Sequence, residues 1–256
     1  MTASSVPLMS LLRALVTAGA LILLWHFGVM LFEPAPFILP GPGRVFTALV
    51  RDWDFLAANA LVTLSEIGLG LVAGTVLGVT MALMVASSGF ARRWVLPLLV
   101  MSQALPVFAI APLLVVWFGY GLGSKIVMTT LIIFFPITSA FQDGLRRTDP
   151  GLLDIAQLAG ASRLQTLRIL QVPAALPSLA SGLRVAAAAA PIGAVVGEWV
   201  GASAGLGYVM LHANARSQVD VVFAALLLLG VIAALIWFAV DALLARVVPW
   251  SDKRPA

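Results

Sequence analysis

Gly201-Ala202-Ser203-Ala204-Gly205 places a serine in a G-x-S-x-G pattern, the arrangement that exposes a hydrolase nucleophile on a strand-to-helix elbow. That chemistry needs a strand before the serine, a helix after it, and a histidine and a carboxylate within reach. Both flanks here are long apolar runs that read as helices, and the chain's histidines are His26 and His212 only. A hydrolase is therefore excluded. Neither histidine has a carboxylate three or four residues on, so the spacing offers no metal site and both read as polar interface residues. With no cysteine, a thiolate nucleophile, a disulfide framework and a cysteine-held metal are excluded as well. Two carboxylates remain. Glu66 lies early in one apolar run and Glu198 close to the end of another, in places where a charge is expensive and usually functional.

The elements that must position these groups follow from composition. With 61% hydrophobic and 10% charged residues among 256, the chain has too much apolar surface to hide in one soluble core. A membrane protein is implied. A bilayer core about 30 Å thick needs roughly 20 apolar residues per helix, and six stretches supply them: Leu11–Phe32, Ala60–Ala86, Trp94–Phe118, Lys125–Phe141, Leu176–Val200 and Val221–Val248. Period-2 alternation is absent, which excludes a membrane barrel. The expected fold is all-α, a single transmembrane domain over residues 1–256. Pro136 is expected to tilt or partly unwind the fourth span. The first is too long for a signal peptide and is expected to remain as a helix. Between the first two spans, Pro34, Pro36, Pro40 and Pro42 rule out a helix. After Gly43 a short interfacial helix is expected, with Trp53 and Phe55 at headgroup level.

Basic residues favour the cytoplasmic side of span ends. With the N-terminus inside, Arg13, Arg92, Arg93, Arg146, Arg147, Arg163, Arg168, Arg184, Arg246, Lys253 and Arg254 face the cytoplasm. Arg44, Arg51, Lys125 and Arg216 do not, an 11 to 4 division of the 15. Both termini are expected to be cytoplasmic. The excess positive charge then reflects topology and anionic lipid rather than nucleic acid.

Within the spans, the substrate-path candidates are Glu66, Gln103, Pro106, Trp117 and Glu198. The alternatives are solvation at the interface for the carboxylates, packing geometry for Pro106, Pro112 and Pro191, and an aromatic belt for Trp117 and Tyr120. Gly68, Gly70, Gly74 and Gly78 form a small-residue stripe suited to close helix packing.

The polar segment Asp143–Pro173 carries the strongest local signals. Asp149-Pro150 is a helix start, and Leu152, Ile155 and Ala159 recur at helical spacing. Gly160 can take the positive φ of a helix end. Ser162 with Gln165 reads as a capping box opening a second helix, with an apolar stripe of Leu164, Leu167 and Leu170 that Pro173 is expected to stop. Two short helices with exposed apolar stripes need a membrane surface or a partner to cover them.

The spacing Asp154-Ile155-Ala156, three residues, Gly160, nine residues, Leu170-Gln171-Val172-Pro173 resembles the E-A-A-x3-G-x9-I-x-L-P signature of ABC-importer permeases. Ala156, Gly160 and Pro173 are identical to it, and Asp154, Leu170 and Val172 are conservative changes. The resemblance implies a type I importer permease of six helices whose loop is a coupling helix seated on a separate ATPase. The residues it implicates are Asp154, Ala156, Gly160, Ala161, Ser162, Arg163, Leu170 and Pro173. It further implies a homodimer, two ATPase copies binding ATP and Mg, and an extracytoplasmic solute-binding protein in a bacterial inner membrane. The chain contains no G-x-x-x-x-G-K-[ST] phosphate loop of its own.

Ile38–Val45, Ser102–Gly121 and Gly197–Met210 resemble the sulfonate, taurine, nitrate and hydroxymethylpyrimidine branch, nearest its hydroxymethylpyrimidine permeases. Acidic rather than basic groups in the outer and buried regions fit a neutral or weakly basic heterocycle better than an anion. An ion-coupled secondary transporter is the rival of a different class. It would show inverted repeats or midplane acid pairs, and neither is visible.

Overall fold

The computed structural model describes residues 8–250, and every regular element among them is a helix. In chain order these are α1 (Leu8–Phe32), α2 (Pro42–Arg51), α3 (Trp53–Ser87), α4 (Gly89–Ser102), α5 (Val107–Phe118), α6 (Leu122–Arg146), α7 (Pro150–Leu158) and α8 (Arg163–Thr166). A π turn (Leu167–Gln171), α9 (Val172–Gly201), α10 (Leu206–Ala215) and α11 (Val219–Val247) follow. Four helical runs are long and apolar enough to cross a membrane: α3, α6, the continuous run Arg163–Gly201, and α11. The pair α4 and α5, bent by 98° at a break, is a broken span or a re-entrant loop, and α1 is an apolar helix of 25 residues. The all-α expectation holds, and the six expected spans resolve into these three kinds.

Three expectations about prolines are corrected. The third span is not continuous. Pro106 sits in the β region (φ −64°, ψ 113°) as the residue before α5, and the turn behind it tightens, with Gln103 and Ala104 bonding carbonyls only three residues back. Pro136 does not interrupt the fourth span, because α6 runs through it with Ile133 and Ile137 fully buried on either side. Pro173 does not stop the second loop helix either. The preceding π turn, in which the Val172 N–H reaches the Leu167 carbonyl, carries that helix straight into α9, and its altered hydrogen-bond spacing accommodates Pro173. The proline-rich segment also turns helical two residues earlier than expected, with Pro42 opening α2.

The chain forms two compact units, one made of residues up to Ala57 with Val209–Leu227, the other of Ala58–Tyr208 with the residues from Leu228 onward. In the first, Trp25 stacks on Phe223 with ring centroids 5.8 Å apart, and Arg51 pairs with Asp52 at 2.7 Å. The second holds the candidate functional residues, and its core is α3, α6 and α9.

Glycines set the spacing of that core. A Cβ built on Gly70, Gly74 or Gly78 of α3 would strike Thr129, Ile133 or Ile137 of α6, so the two helices run parallel in constant register. Along α9, Gly144 meets Ser178, Ala140 meets Gly182, Thr129 meets Gly193 and Lys125 meets Gly197, an antiparallel register of α6 with α9. Small residues let backbones approach where lipid offers no hydrophobic drive for association. Thr138 exploits the approach by donating to the Gly78 carbonyl at 3.1 Å.

The glycine stripe was expected to include Gly68, but a Cβ there meets nothing within 4 Å, whereas one on Gly78 would come within 2.8 Å of the Phe134 carbonyl. Gly78→Ala is therefore expected to lose about 1–3 kcal/mol by overpacking against backbone, and Gly68→Ala to stay within about 0.5 kcal/mol of wild type. Thermal unfolding of the detergent-purified variants checks this, and equal midpoints would refute the α3–α6 register.

Two residues in the count of basic side chains do not reach outward from span ends. Arg184 lies about three turns into α9 and pairs with Asp241 of α11 at 2.6 Å, and Lys125 is buried in α6. Lys253 and Arg254 lie outside the described residues.

Candidate functional site

Between α6 and α9 the chain leaves the bundle as a two-helix loop. Asp149 caps α7 by accepting from the Gly151 N–H at 2.8 Å, and Pro150 takes the first helical position. Gly160 leaves α7 with φ +72°. Ser162 and Gln165 then form a reciprocal capping box that opens α8, the Gln165 side chain accepting from the Ser162 N–H at 2.8 Å. Ala156 is buried beneath α7, while Leu152, Ile155 and Leu158 stand out of it, Leu158 being 89% exposed. Asp154, Gly160, Ser162, Arg163 and Pro173 are exposed, and Ala161 and Leu170 half-buried. The far side of the loop is anchored by a packed cluster of Ala82, Phe141, Leu145, Leu167 and Ala175 joining α3, α6, the π turn and α9.

At the other end of the same three helices lies a buried polar cluster. Glu66 of α3, Lys125 of α6 and Glu198 of α9 are 2%, 1% and 1% exposed. The Glu66 and Glu198 carboxyls lie within hydrogen-bonding reach of each other, with the Lys125 charge beside both. The Glu198 carboxylate accepts from the Thr63 hydroxyl at 2.6 Å and, through its other oxygen, from the Gly207 N–H. Thr63 in turn accepts from the Leu206 N–H at 2.8 Å, and the Asn59 side-chain oxygen from the Gly205 N–H at 2.7 Å. Carboxylate and acceptors thus satisfy the free N–H groups where α10 begins. Lys125 does the converse at the end of α9: its ammonium donates to the carbonyls of Gly201 and Tyr120, and to that of Gly121 at 3.1 Å.

The cluster therefore fastens both ends of the link Ala202–Gly205 between α9 and α10. The G-x-S-x-G pattern is this link, with helices on both sides. Sequence reasoning found Glu66 and Glu198 but missed Lys125, Thr63 and Asn59. The available signal was a series of polar residues at helical spacing along one apolar run: Asn59, Thr63 and Glu66 share a face of α3.

Neither carboxylate is solvated at an interface: the structure encloses both among protein groups. One Glu66 oxygen makes no hydrogen bond among the described residues. Gln103 and Pro106 lie exposed at the break between α4 and α5, and Trp117 is exposed near the end of α5. The structure brings Glu66 and Glu198 together and leaves these three apart from them.

Long apolar helices packed through glycines, with a capped polar loop at one end, define an integral membrane protein of the all-helical class. Residues 74–253 match the family described as binding-protein-dependent transport system inner membrane component, and the chain belongs to that family. It is 51% identical to a probable ABC transporter permease protein of Haemophilus influenzae, covering 94% of this chain and 98% of that one. It is 36% identical to the formylaminopyrimidine transport permease ThiX of Halalkalibacterium halodurans (91% of this chain and 94% of that one covered), and 30% identical to the taurine transport system permease TauC of Escherichia coli K12 (93% and 89% covered). The fold is that of the MetNI methionine ABC transporter structure in an inward-facing conformation, with a TM-score of 0.67 at 22% identity over 77% of this chain and 98% of that one. The chain is an ABC importer permease subunit of type I fold, embedded in the membrane.

Proposed function

We propose that two copies of this chain form the path of an importer whose α7–α8 loops seat on two copies of a separate ATPase, which binds ATP and Mg. An extracytoplasmic binding protein delivers cargo to the opposite end, and both chain termini face the cytoplasm. The observation that carries this reading is the exposed apolar face of α7 between two defined caps, a surface that a partner has to cover. ATP-driven closure of the ATPase pair would draw the loops together. Because the run from Arg163 to Gly201 is one continuous helical body, displacement of the loop reaches the Lys125 and Glu198 end without an intervening hinge loop.

Gly160 tests the coupling. Its φ of +72° lies outside the range of proline, which is locked near −65°, while asparagine tolerates positive φ. Gly160→Pro is expected to reduce ATP-dependent uptake in reconstituted vesicles to background, and Gly160→Asn to keep most of it. Full uptake by the proline variant, in a complex of normal stoichiometry, would refute the coupling role.

For cargo, we infer a pyrimidine-type thiamine precursor such as hydroxymethylpyrimidine. The formylaminopyrimidine relative and the acidic character of the buried polar groups support it, with Glu66, Gln103, Pro106, Trp117 and Glu198 as path residues. Sulfonate, taurine or nitrate is the alternative, favoured by the taurine relative. Competition of unlabelled hydroxymethylpyrimidine against taurine, in uptake assays with the cognate binding protein, separates the two.

A further inference from the structure

A cavity of about 580 Å³ lies between the inner side of the α7–α8 loop and the bundle. Three arginines from three elements line it: Arg92 of α4, Arg146 at the end of α6 and Arg163 of α8, together with Gln142, Gln157 and Gln171. No carboxylate lines it, and among the described residues none of the three arginines is ion-paired. Arg163 is held in the wall by a 3.1 Å bond to the Ala86 carbonyl at the end of α3, and Gln142 is buried. Such a volume is that of a small-molecule site. Guanidinium groups with no acid to neutralise them create a positive potential suited to an anion whose oxygens can accept forked N–H donors.

The face of α7 that lines the cavity is not the face a partner would cover. Leu153 and Gln157 line it, whereas the exposed apolar residues Leu152, Ile155 and Leu158 stand on the opposite side of the helix at 100° per residue. A protein seated on the apolar face leaves the cavity behind the helix unfilled.

We propose that this cavity binds a phosphate-bearing anion, either a free cytoplasmic phosphate compound or the headgroup of an anionic lipid. The anion bridges α4, α6, α7 and α8, fixing the distance between the loop and the bundle, so occupancy alters how far the loop moves independently of the helices. The binding itself does not depend on the coupling role of the loop.

The test uses the full chain in complex with its ATPase, in neutral detergent, titrated with inorganic pyrophosphate in a calorimeter, and in nanodiscs of phosphatidylglycerol or phosphatidylcholine examined by native mass spectrometry. One anion per permease chain is expected. Arg92→Gln with Arg146→Gln should weaken it about tenfold or more, the scale of a lost charge-assisted hydrogen bond. The exposed Gln157→Glu, which puts a carboxylate into the lining with little risk to folding, should weaken it comparably. Retained phosphatidylglycerol that the variants release identifies the headgroup as the source, and pyrophosphate binding alone identifies a free phosphate compound. No saturable binding of either probe, binding unchanged in properly folded variants, or binding to the isolated chain that the ATPase abolishes would each overturn the proposal.

Discussion

Lys125→Met is expected to lower the stability of the folded chain by about 3–5 kcal/mol, the cost of removing one partner from a buried charged set. Methionine keeps most of the stem volume, so little of the loss comes from a cavity. What disappears is the ammonium, which is 1% exposed and donates to the Tyr120, Gly121 and Gly201 carbonyls. The Tyr120 and Gly201 carbonyls then lose the ammonium as donor, while that of Gly121 keeps the Ser124 hydroxyl at 3.2 Å, and Glu66 and Glu198 lose a nearby positive charge. Adding Glu198→Gln to Lys125→Met should recover part of the loss by removing a charge that has become unopposed, although the amide cannot reproduce every contact of the carboxylate. Unfolding of the single and double variants in detergent gives the coupling energy directly. A Lys125→Met protein within 1 kcal/mol of wild type, on the scale of a surface substitution, would show that the cluster is not what holds α3, α6 and α9 together at this end.

The reason Lys125 was misread in the sequence is physical. It stands after Gly121-Leu122-Gly123-Ser124 at the polar edge of an apolar run, the usual place for a side chain reaching out to headgroups. Only the parallel register of α3 on α6 and the antiparallel register of α6 on α9 turn it inward, and both registers join distant segments: the Thr138 to Gly78 bond closes 60 residues and the Lys125 to Gly201 bond 76. The loop was legible because its chemistry is local. Asp149, Gly160 and the Ser162–Gln165 box act within three or four residues of themselves, and each does what its residue type predicts. Proline rules were less transferable, since Pro136 and Pro173 are tolerated through packing by neighbouring helices and a π turn, which no local rule contains. The glycine stripe was legible as a packing device but not in its membership, because the i, i+4 series at Gly70, Gly74 and Gly78 faces α6 and Gly68 is turned away.

Gly205→Ala should be the most damaging single methyl group in the chain's α9–α10 link. Gly205 has φ +112°, a conformation essentially reserved for glycine, and a Cβ there would overlap the Glu198 carboxyl. Backbone strain of about 1–3 kcal/mol adds to overpacking of about 1–3 kcal/mol, so a destabilisation of about 2–6 kcal/mol is expected. The carboxylate cannot swing aside cheaply. Its oxygens are engaged by Thr63 and by the Gly207 N–H, and moving it would also release the first turn of α10. The variant is therefore expected to lose uptake while its α7–α8 loop, on the opposite end of the bundle, still binds the ATPase. Ser203→Ala, two residues away in the same G-x-S-x-G pattern and exposed, should keep both stability and uptake, because its hydroxyl lies outside the clamp. The pair of variants separates the two meanings of the pentapeptide. A link held at both ends by buried side chains makes the glycine indispensable and the serine dispensable. A nucleophile elbow would make the serine indispensable, so loss of function in Ser203→Ala with Gly205→Ala as stable as wild type would reverse the assignment.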